Sequence, residues 1–145
     1  MAYTRRALGA GGLAALVLLG SARDSLATQG QAGCRTPLQA WTQIELHLGR
    51  DISTGGIVSE RAFRRFVDEV VTPRFPDGLG IIDFNGQYRH GNGVIVHEPS
   101  KLLTILVPDA AAVAWKVRQV IAAYKRRFRQ ESVLHAEIPV CIAFR

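Results

Sequence analysis

Apolar and polar side chains alternate along residues 41–48, and this alternation predicts the first strand of the chain. Ile44, Leu46 and Leu48 fall on one side, whereas Glu45 and His47 fall on the other. A period of two is typical of a strand with one buried face. The pattern therefore predicts a strand over 41–48 whose even-numbered residues lie in the core.

A second alternation predicts the last strand, over residues 133–144. Pro139 lies within it and has no N–H to donate to a ladder, so this strand is expected at a sheet edge. The alternation predicts that the apolar residues of this strand face the core: Leu134, Ala136, Ile138, Val140, Ile142 and Phe144.

Two stretches with a helical period lie between these strands. Ser59 is an N-cap for the first helix, which presents Phe63 and Phe66 on one face and ends at Pro73. Asp109 is the corresponding cap of the second helix. The buried face of the second helix is predicted to contain Val113, Val117, Val120, Ile121, Tyr124 and Phe128.

The segment between the helices is predicted to form a long hairpin. Residues 78–89 and 94–107 are extended arms around His90-Gly91-Asn92-Gly93, a sequence that suits a tight reversal. Asn85-Gly86 and Pro99-Ser100 fall opposite one another, which predicts bulges or kinks in the arms. An alternative makes Asn85-Gly86 itself a hairpin turn and gives a three-strand meander.

The order strand, helix, strand, strand, helix, strand predicts an α+β fold. It is the ferredoxin-like split β-α-β pattern, an antiparallel sheet with two helices on one face and the last strand beside the first. Residues 41–145 are expected to form this single domain, after a loosely ordered segment over 28–40.

Residues 1–27 have the layout of a secretory signal. Arg5 and Arg6 precede an uncharged run over 7–20, and small residues end the segment at Ala27. The run is too short for a membrane-spanning helix. We expect cleavage after about Ala27 and a periplasmic or secreted bacterial protein with no transmembrane segment. Twin-arginine export and lipidation at Cys34 stay open as alternatives.

Charge and cysteine content refine this expectation. The net charge of +6 becomes +4 once residues 1–27 are removed, which argues against a nucleic-acid partner and favours an anionic one in the envelope. The pair Cys34 and Cys141 predicts a disulfide in an oxidising compartment, joining the start of the first strand to the end of its neighbour. The alternative is two unrelated thiols.

Two polar clusters are candidate sites. Alternation places Glu45 and His47 with His135 and Glu137 on the open face of the sheet, a set that suits a divalent metal or proton transfer. A solvated polar face is the alternative. The second cluster surrounds the hairpin and suits a small anionic or zwitterionic ligand, or else forms cross-strand ion pairs. Its members are Asp77, Arg89, Glu98 and Lys101.

Three features indicate contacts with partners. Trp115 lies opposite the buried stripe of the second helix, which indicates a partner contact unless the N-terminal segment covers it. Lys125-Arg126-Arg127-x-Arg129 at the end of that helix is a candidate anion patch, or else complements the helix dipole. Residues 102–107 are apolar on both faces, which indicates that both faces of this strand are covered. Depending on register, the open face exposes Leu102 and Leu106 or the alternate residues, and a stacked homodimer would cover it.

Five segments carry a resemblance to a known family: Glu45-Leu46-His47-Leu48-Gly49, residues 71–79, Asn85-Gly86-Gln87-Tyr88-Arg89, Glu98-Pro99-Ser100-Lys101 and residues 124–133. Over about residues 41–144 the chain resembles the bacterial domain of unknown function 3574 family. That family consists of small, often exported proteins of unknown function, so the resemblance implies no particular activity.

The motifs of hydrolases, zincins, thiol oxidoreductases and nucleotide-binding proteins do not occur in the sequence. The sequence therefore predicts a non-catalytic binding or structural module of the cell envelope, with no cofactor. Its expected partner is a second copy, an envelope component or a small molecule. The alternative is a small enzyme with a site on the open sheet face, assisted by a metal.

Overall fold

A computed structural model describes residues 33–89 and 92–145. The predicted signal and the turn centre at His90-Gly91 lie outside these residues. The elements are β1 (Gln39–Gly49), α1 (Glu60–Phe66) with a π-helical turn that continues it (Val67–Val71), β2 (Gly80–Arg89), β3 (Ile95–Val107), α2 (Ala110–Phe128) and β4 (Leu134–Ile142). In the ranges that the structure describes, no helix is both long enough and apolar enough to cross a membrane.

The four strands form one antiparallel sheet in the order β2-β3-β1-β4. Strand β3 lies between β1 and β2, and β4 pairs with the other side of β1. This is the split β-α-β arrangement that the element order predicted. The ferredoxin-like α+β fold is therefore confirmed.

The core lies between the helices and one face of the sheet. Ile44, Leu46 and Leu48 of β1 are completely buried, as the alternation predicted. Phe66 and Tyr124 of the two helices meet edge to face, with ring centroids 5.1 Å apart. Removing an aromatic side chain from such a core typically costs about 3–5 kcal/mol.

The predicted caps hold the two helices at their N-termini. The Ser59 hydroxyl accepts a hydrogen bond from the Ala62 N–H at 3.2 Å, and the Asp109 carboxylate accepts one from Ala112 at 3.1 Å. Each cap satisfies a backbone donor that the helix itself leaves unpaired.

The hairpin is long, as predicted, and its arms pair without a bulge at Asn85-Gly86 or Pro99-Ser100. Strands β2 and β3 pair in one continuous register that includes Asn85 opposite Pro99, so the meander alternative is also wrong. Pro99 is tolerated because its polar atoms face the side where β1 has ended. There its carbonyl accepts a hydrogen bond from the Arg50 N–H at 3.1 Å.

The prediction that the apolar residues of β4 face the core is wrong. Leu134 lies opposite His47, and Glu137 lies opposite the buried Ile44. Because directly paired residues of antiparallel strands share a face, the apolar residues of β4 lie on the open face of the sheet. Leu134 is accordingly 61% exposed. Phe144, which follows the strand, is 82% exposed rather than in the core.

The predicted disulfide is present between Cys34 and Cys141, with Cα atoms 5.5 Å apart. Cys141 lies opposite Ala40 in the ladder between β4 and β1. Strand β1 begins at Gln39, two residues before its predicted start. The bridge thus ties the segment before β1 to the edge strand across 107 residues of sequence.

Candidate functional site

The hairpin of β2 and β3 extends beyond the end of β1, and a groove lies where it does so. The last pair between β1 and β3 is Gly49 with Ser100, whereas β2 and β3 stay paired as far as Arg89 and Ile95. The turn after β1 and the segment after α2 complete the walls. Two adjoining concavities of about 320 and 110 Å³ result.

We call this region the tyrosine groove. Its principal lining residues are His47, Gly49, Asp51, Phe84, Gly86, Tyr88, Glu98, Ser100, Arg129, Gln130, Glu131, Ser132 and Leu134.

Glu98 lines both concavities, and the absence of a side chain at Gly49 makes room for its carboxylate. It pairs with Gly86 across the hairpin, and its carboxylate accepts a hydrogen bond from the Asp51 N–H at 3.1 Å. A Cβ atom at Gly49 would lie only 2.4 Å from Glu98 Oε1. The glycine at the end of β1 therefore allows the Glu98 carboxylate to lie over the strand end.

Tyr88 stands beside this carboxylate on the hairpin and is 42% exposed. Partial burial raises the pKa of its phenol, and the carboxylates of Glu98, Glu131 and Asp51 raise it further. Negative charge disfavours the tyrosinate, so the phenol stays protonated and can donate a hydrogen bond. Three carboxylates therefore lie within electrostatic range of the phenol.

An aromatic wall closes the side of the groove nearest β1. The rings of His47 and Phe84 meet edge to face, with centroids 5.4 Å apart. His47 Nε2 lies 3.6 Å from the Glu45 carboxylate, which belongs to the same strand and face. The groove thus combines ring surfaces with carboxylates.

Two hydrogen bonds hold the floor of the groove in place. The Tyr124 hydroxyl donates to the Gly49 carbonyl at 2.8 Å, and burial raises the pKa of this fully buried tyrosine. Gln130 Nε2 donates to the Asp51 carbonyl at 2.5 Å. These bonds join α2 and the segment that follows it to the end of β1.

Charged side chains on the helix side of the sheet hold the start of α1. Lys101 is 3% exposed, and its Nζ lies 2.9 Å from Glu60 and contacts Asp83. Burial alone would lower the pKa of Lys101, but hydrogen bonds with Asp83 and Glu60 outweigh it and raise the pKa. Arg50 adds a second contact to Glu60 at 2.7 Å and donates to the Val58 carbonyl.

The four residues predicted as metal ligands do not come together. Glu45 and His47 lie on the open face, whereas His135 and Glu137 pair with buried residues of β1 and lie on the helix side. Each pair makes only a local contact, 3.3 Å between His135 and Glu137. Within residues 33–89 and 92–145, no cluster of three or more His, Cys, Asp or Glu side chains has a metal-binding arrangement.

The second predicted set is also dispersed. Asp77 precedes β2 and Arg89 ends it, so the two lie at opposite ends of the strand. Glu98 is on the open face, whereas Lys101 is on the helix side. The alternative of cross-strand ion pairs describes Lys101, whose directly opposite residue is Asp83. Glu98 is the member of the set that lines the groove.

The residues predicted at interfaces are at the surface or on the open face. Trp115 is 49% exposed, and Leu106 is 39% exposed. Leu102 shares the open face with Leu106, while the alternate residues of β3 are buried under the helices. A separate apolar cleft of about 760 Å³ lies at the opposite end of the sheet, with Asp77 and Phe144 among its lining residues.

Sequence reasoning missed Tyr88, Glu131 and Asp51 as site residues. Tyr88 and Glu98 have the same parity in a hairpin, so the alternation within its two arms was a usable signal. Asp51 and Glu131 belong to connecting segments. No local period predicts which way such segments return to a sheet.

Comparison with known proteins gives a family match over most of the described chain. The family model described as "Protein of unknown function (DUF3574)" matches residues 43–144. Four of the five segments that carry the resemblance contribute lining residues to the tyrosine groove. No curated protein matches the sequence.

Solved structures with a similar chain path include a phage SAM lyase in complex with S-methyl-5'-thioadenosine. The TM-score is 0.56 at 15% identity, over 72% of this chain and 90% of that chain. CutA1 from Oryza sativa gives a TM-score of 0.43 at 12% identity, over 74% of this chain and 84% of that one. The similarity to the lyase shows a shared fold.

Proposed function

Because the chain belongs to the DUF3574 family, whose function is unknown, we propose its role from the geometry: an exported binding domain that holds a small organic cation in the tyrosine groove. The observation that carries this proposal is the Glu98 carboxylate, held over Gly49 beside Tyr88. A carboxylate positioned in a concavity is a preorganised partner for a cation.

The charge of the groove supports a cationic ligand. Asp51, Glu98 and Glu131 contribute three carboxylates, and Arg129 contributes one guanidinium. Arg129 also donates a hydrogen bond to the Thr54 hydroxyl at 3.1 Å. Excess negative charge in a concave surface raises the local concentration of small cations.

The rings in the groove support an organic rather than an inorganic cation. Phe84 and Tyr88 present aromatic surfaces, and cations over such rings gain about 0.5–2 kcal/mol depending on desolvation. The larger concavity, about 320 Å³, is at the lower end of the size range of small-molecule sites. Both features favour a compact cation with an alkylated or aromatic centre.

The structural neighbour supplies a second reason for the choice of probes. That lyase binds S-methyl-5'-thioadenosine, an uncharged nucleoside, and SAM is a sulfonium cation with the same nucleoside part. Testing both compounds separates recognition of charge from recognition of the nucleoside.

Isothermal titration calorimetry with benzyltrimethylammonium, SAM and S-methyl-5'-thioadenosine tests the proposal. We expect the two cations to bind and the uncharged nucleoside to bind at least tenfold more weakly. Glu98→Gln should weaken binding of the cations at least tenfold. The matched control Glu137→Gln makes the same change on the other face of the sheet and should have no effect.

Three results would contradict the proposal. Equal affinity for the uncharged nucleoside would assign the groove to the nucleoside instead of the charge. Absence of binding by both cations, or equal losses in Glu98→Gln and Glu137→Gln, would remove Glu98 from the site.

The alternative function, a small enzyme on the open face, rests on the presence of Tyr88 and Glu98 in one groove. A protonated phenol and a carboxylate are both general acid–base groups. Mass spectrometry of each cation after prolonged incubation with the protein would distinguish the two functions. Conversion that disappears in Glu98→Gln would favour the enzyme, and recovery of the unchanged cation would favour the binding domain.

A further inference from the structure

The outer face of the helical layer carries a concentrated positive charge. Helix α2 contains Lys116, Arg118, Lys125, Arg126 and Arg127 and has no acidic residue. At 100° per residue, Arg118 and Arg126 fall within about 60° of the exposed Trp115 and point away from the core. Among the described residues, no acidic side chain forms a salt bridge with Arg118, Lys125 or Arg126.

Helix α1 and its π-helical turn add three exposed arginines to this layer, together with the acidic residues Glu60, Asp68 and Glu69. Arg61, Arg64 and Arg65 are exposed on it, and the nearby Glu69 pairs with Arg65 at 3.9 Å and with Arg127 at 2.7 Å. The acidic residues of this layer are thus partly neutralised by local pairs. We call the surface of Arg61, Arg64, Trp115, Arg118, Lys125 and Arg126 the cationic face.

Trp115 gives this surface an apolar anchor. It is 49% exposed and lies along the helix from Ala111 and Ala122, whose short side chains leave its ring prominent. Tryptophan with surrounding Lys and Arg is the composition of protein surfaces that rest on a bilayer. Basic residues alone would suit any polyanion, whereas the exposed ring favours a surface with an apolar interior.

We propose that the cationic face docks the domain on an anionic phospholipid surface, with Trp115 entering the headgroup region. Attraction to such a surface is additive over nearby Lys and Arg side chains and falls off within a Debye length. This inference is independent of the tyrosine groove, which lies on the opposite face of the sheet.

Sedimentation with vesicles tests the proposal, using phosphatidylcholine alone or mixed with phosphatidylglycerol. We expect binding only to the mixed vesicles and a decrease in binding as salt is raised. Arg118→Glu/Arg126→Glu should lower the partition coefficient at least tenfold. The matched control Arg35→Glu/Arg145→Glu makes the same charge change at exposed positions outside the helices and should have little effect.

Fluorescence provides a readout that a general charge effect would not change. The chain has two tryptophans, so Trp41→Phe leaves Trp115 as the reporter. We expect its emission to shift to the blue on mixed vesicles. Free glycerol phosphate should cause no shift.

The proposal is overturned if the protein does not bind the mixed vesicles. It is also overturned if both charge reversals weaken binding equally, or if Trp115 emission stays unchanged on binding. Circular dichroism of each variant shows that the fold is retained, so a loss of binding reflects the surface.

Discussion

Substitution of Gly49 by alanine tests how the tyrosine groove is built. The added Cβ would meet Glu98 Oε1 at 2.4 Å and its Cδ at 2.7 Å, so the carboxylate must leave its position. The obstructed atoms are the far end of a flexible side chain, which can rotate away. The floor stays in place, because the Tyr124 hydroxyl donates to the backbone carbonyl of residue 49, which the substitution does not change.

The cost to stability should be small. The displaced Glu98 loses its hydrogen bond from the Asp51 N–H, which is worth about 1 kcal/mol at an exposed site. Alanine in a strand gains about 0.5–1 kcal/mol over glycine because it loses less backbone entropy on folding. The two terms nearly cancel, so we expect the free energy of unfolding to change by less than about 1 kcal/mol and Tm by less than about 5 °C.

The effect on ligand binding should be much larger. A cation about 4 Å from a carboxylate gains about 1 kcal/mol in water and about 4 kcal/mol near a protein surface. Each 1.4 kcal/mol corresponds to a factor of ten in affinity. Gly49→Ala should therefore weaken binding of benzyltrimethylammonium about tenfold or more.

Calorimetric titration and thermal unfolding of the same samples check both parts. Gly33→Ala is the matched control, since nothing lies within 4 Å of a Cβ at that position. Wild-type affinity in a folded Gly49→Ala protein would refute the role of Glu98. A loss of more than about 2 kcal/mol of stability would refute the reasoning that the carboxylate moves away easily.

Three further predictions concern stability and association. Cys34→Ser/Cys141→Ser should lower the free energy of unfolding by about 4–5 kcal/mol in urea, because the bridge closes a loop of 107 residues; a loss below about 1 kcal/mol would contradict this. The hydrogen bond from Lys101 lowers the pKa of Glu60. The ionised carboxylate therefore stabilises the fold above about pH 4.5, and this stabilisation is lost as pH falls through the lowered pKa of the folded state. Glu60→Gln should therefore be less stable than wild type at pH 7, with urea midpoints converging towards pH 3, and a gap that is constant with pH would argue against it. Self-association through the open face stays a prediction. Sedimentation equilibrium at micromolar concentration should then show a dimer for the wild type and a monomer for Leu106→Lys; a monomeric wild type would exclude the dimer.

The parts of the fold that were predicted correctly follow from local periods. Ile44, Leu46 and Leu48 repeat every second residue. Val117, Val120 and Tyr124 follow a helical spacing, so each set identifies its own buried face. The caps at Ser59 and Asp109 are equally local. The order of these elements then restricted the topology to few choices.

The face of β4 could not be obtained in this way. Its apolar residues alternate as clearly as those of β1, yet its orientation is set by the register with β1, and a shift of one residue exchanges its faces. Ile44 opposite Glu137 fixes that register. As an edge strand, β4 tolerates the polar side towards the helices because Glu137 and His135 stay partly exposed there.

The tyrosine groove depends on a difference in strand length. Tyr88 and Glu98 come from two arms of a hairpin, and Glu131 comes from a segment after α2. They meet because β1 ends at Gly49 while the hairpin continues. The alternation within each arm is compatible with Tyr88 and Glu98 on one face, but it contains no information on where β1 ends.

The two proposed surfaces carry opposite charge on opposite sides of the domain, and this separation makes them independently testable. The helical layer alone is about 10 Å thick, which is about one Debye length at 0.1 M salt. Lipid charge at the cationic face should therefore have little effect on the potential in the tyrosine groove. Glu98→Gln should leave vesicle binding unchanged, and Arg118→Glu/Arg126→Glu should leave the affinity for benzyltrimethylammonium unchanged. If either substitution changed both properties severalfold, the two surfaces would be coupled through the fold, because screened electrostatics over this distance is weak.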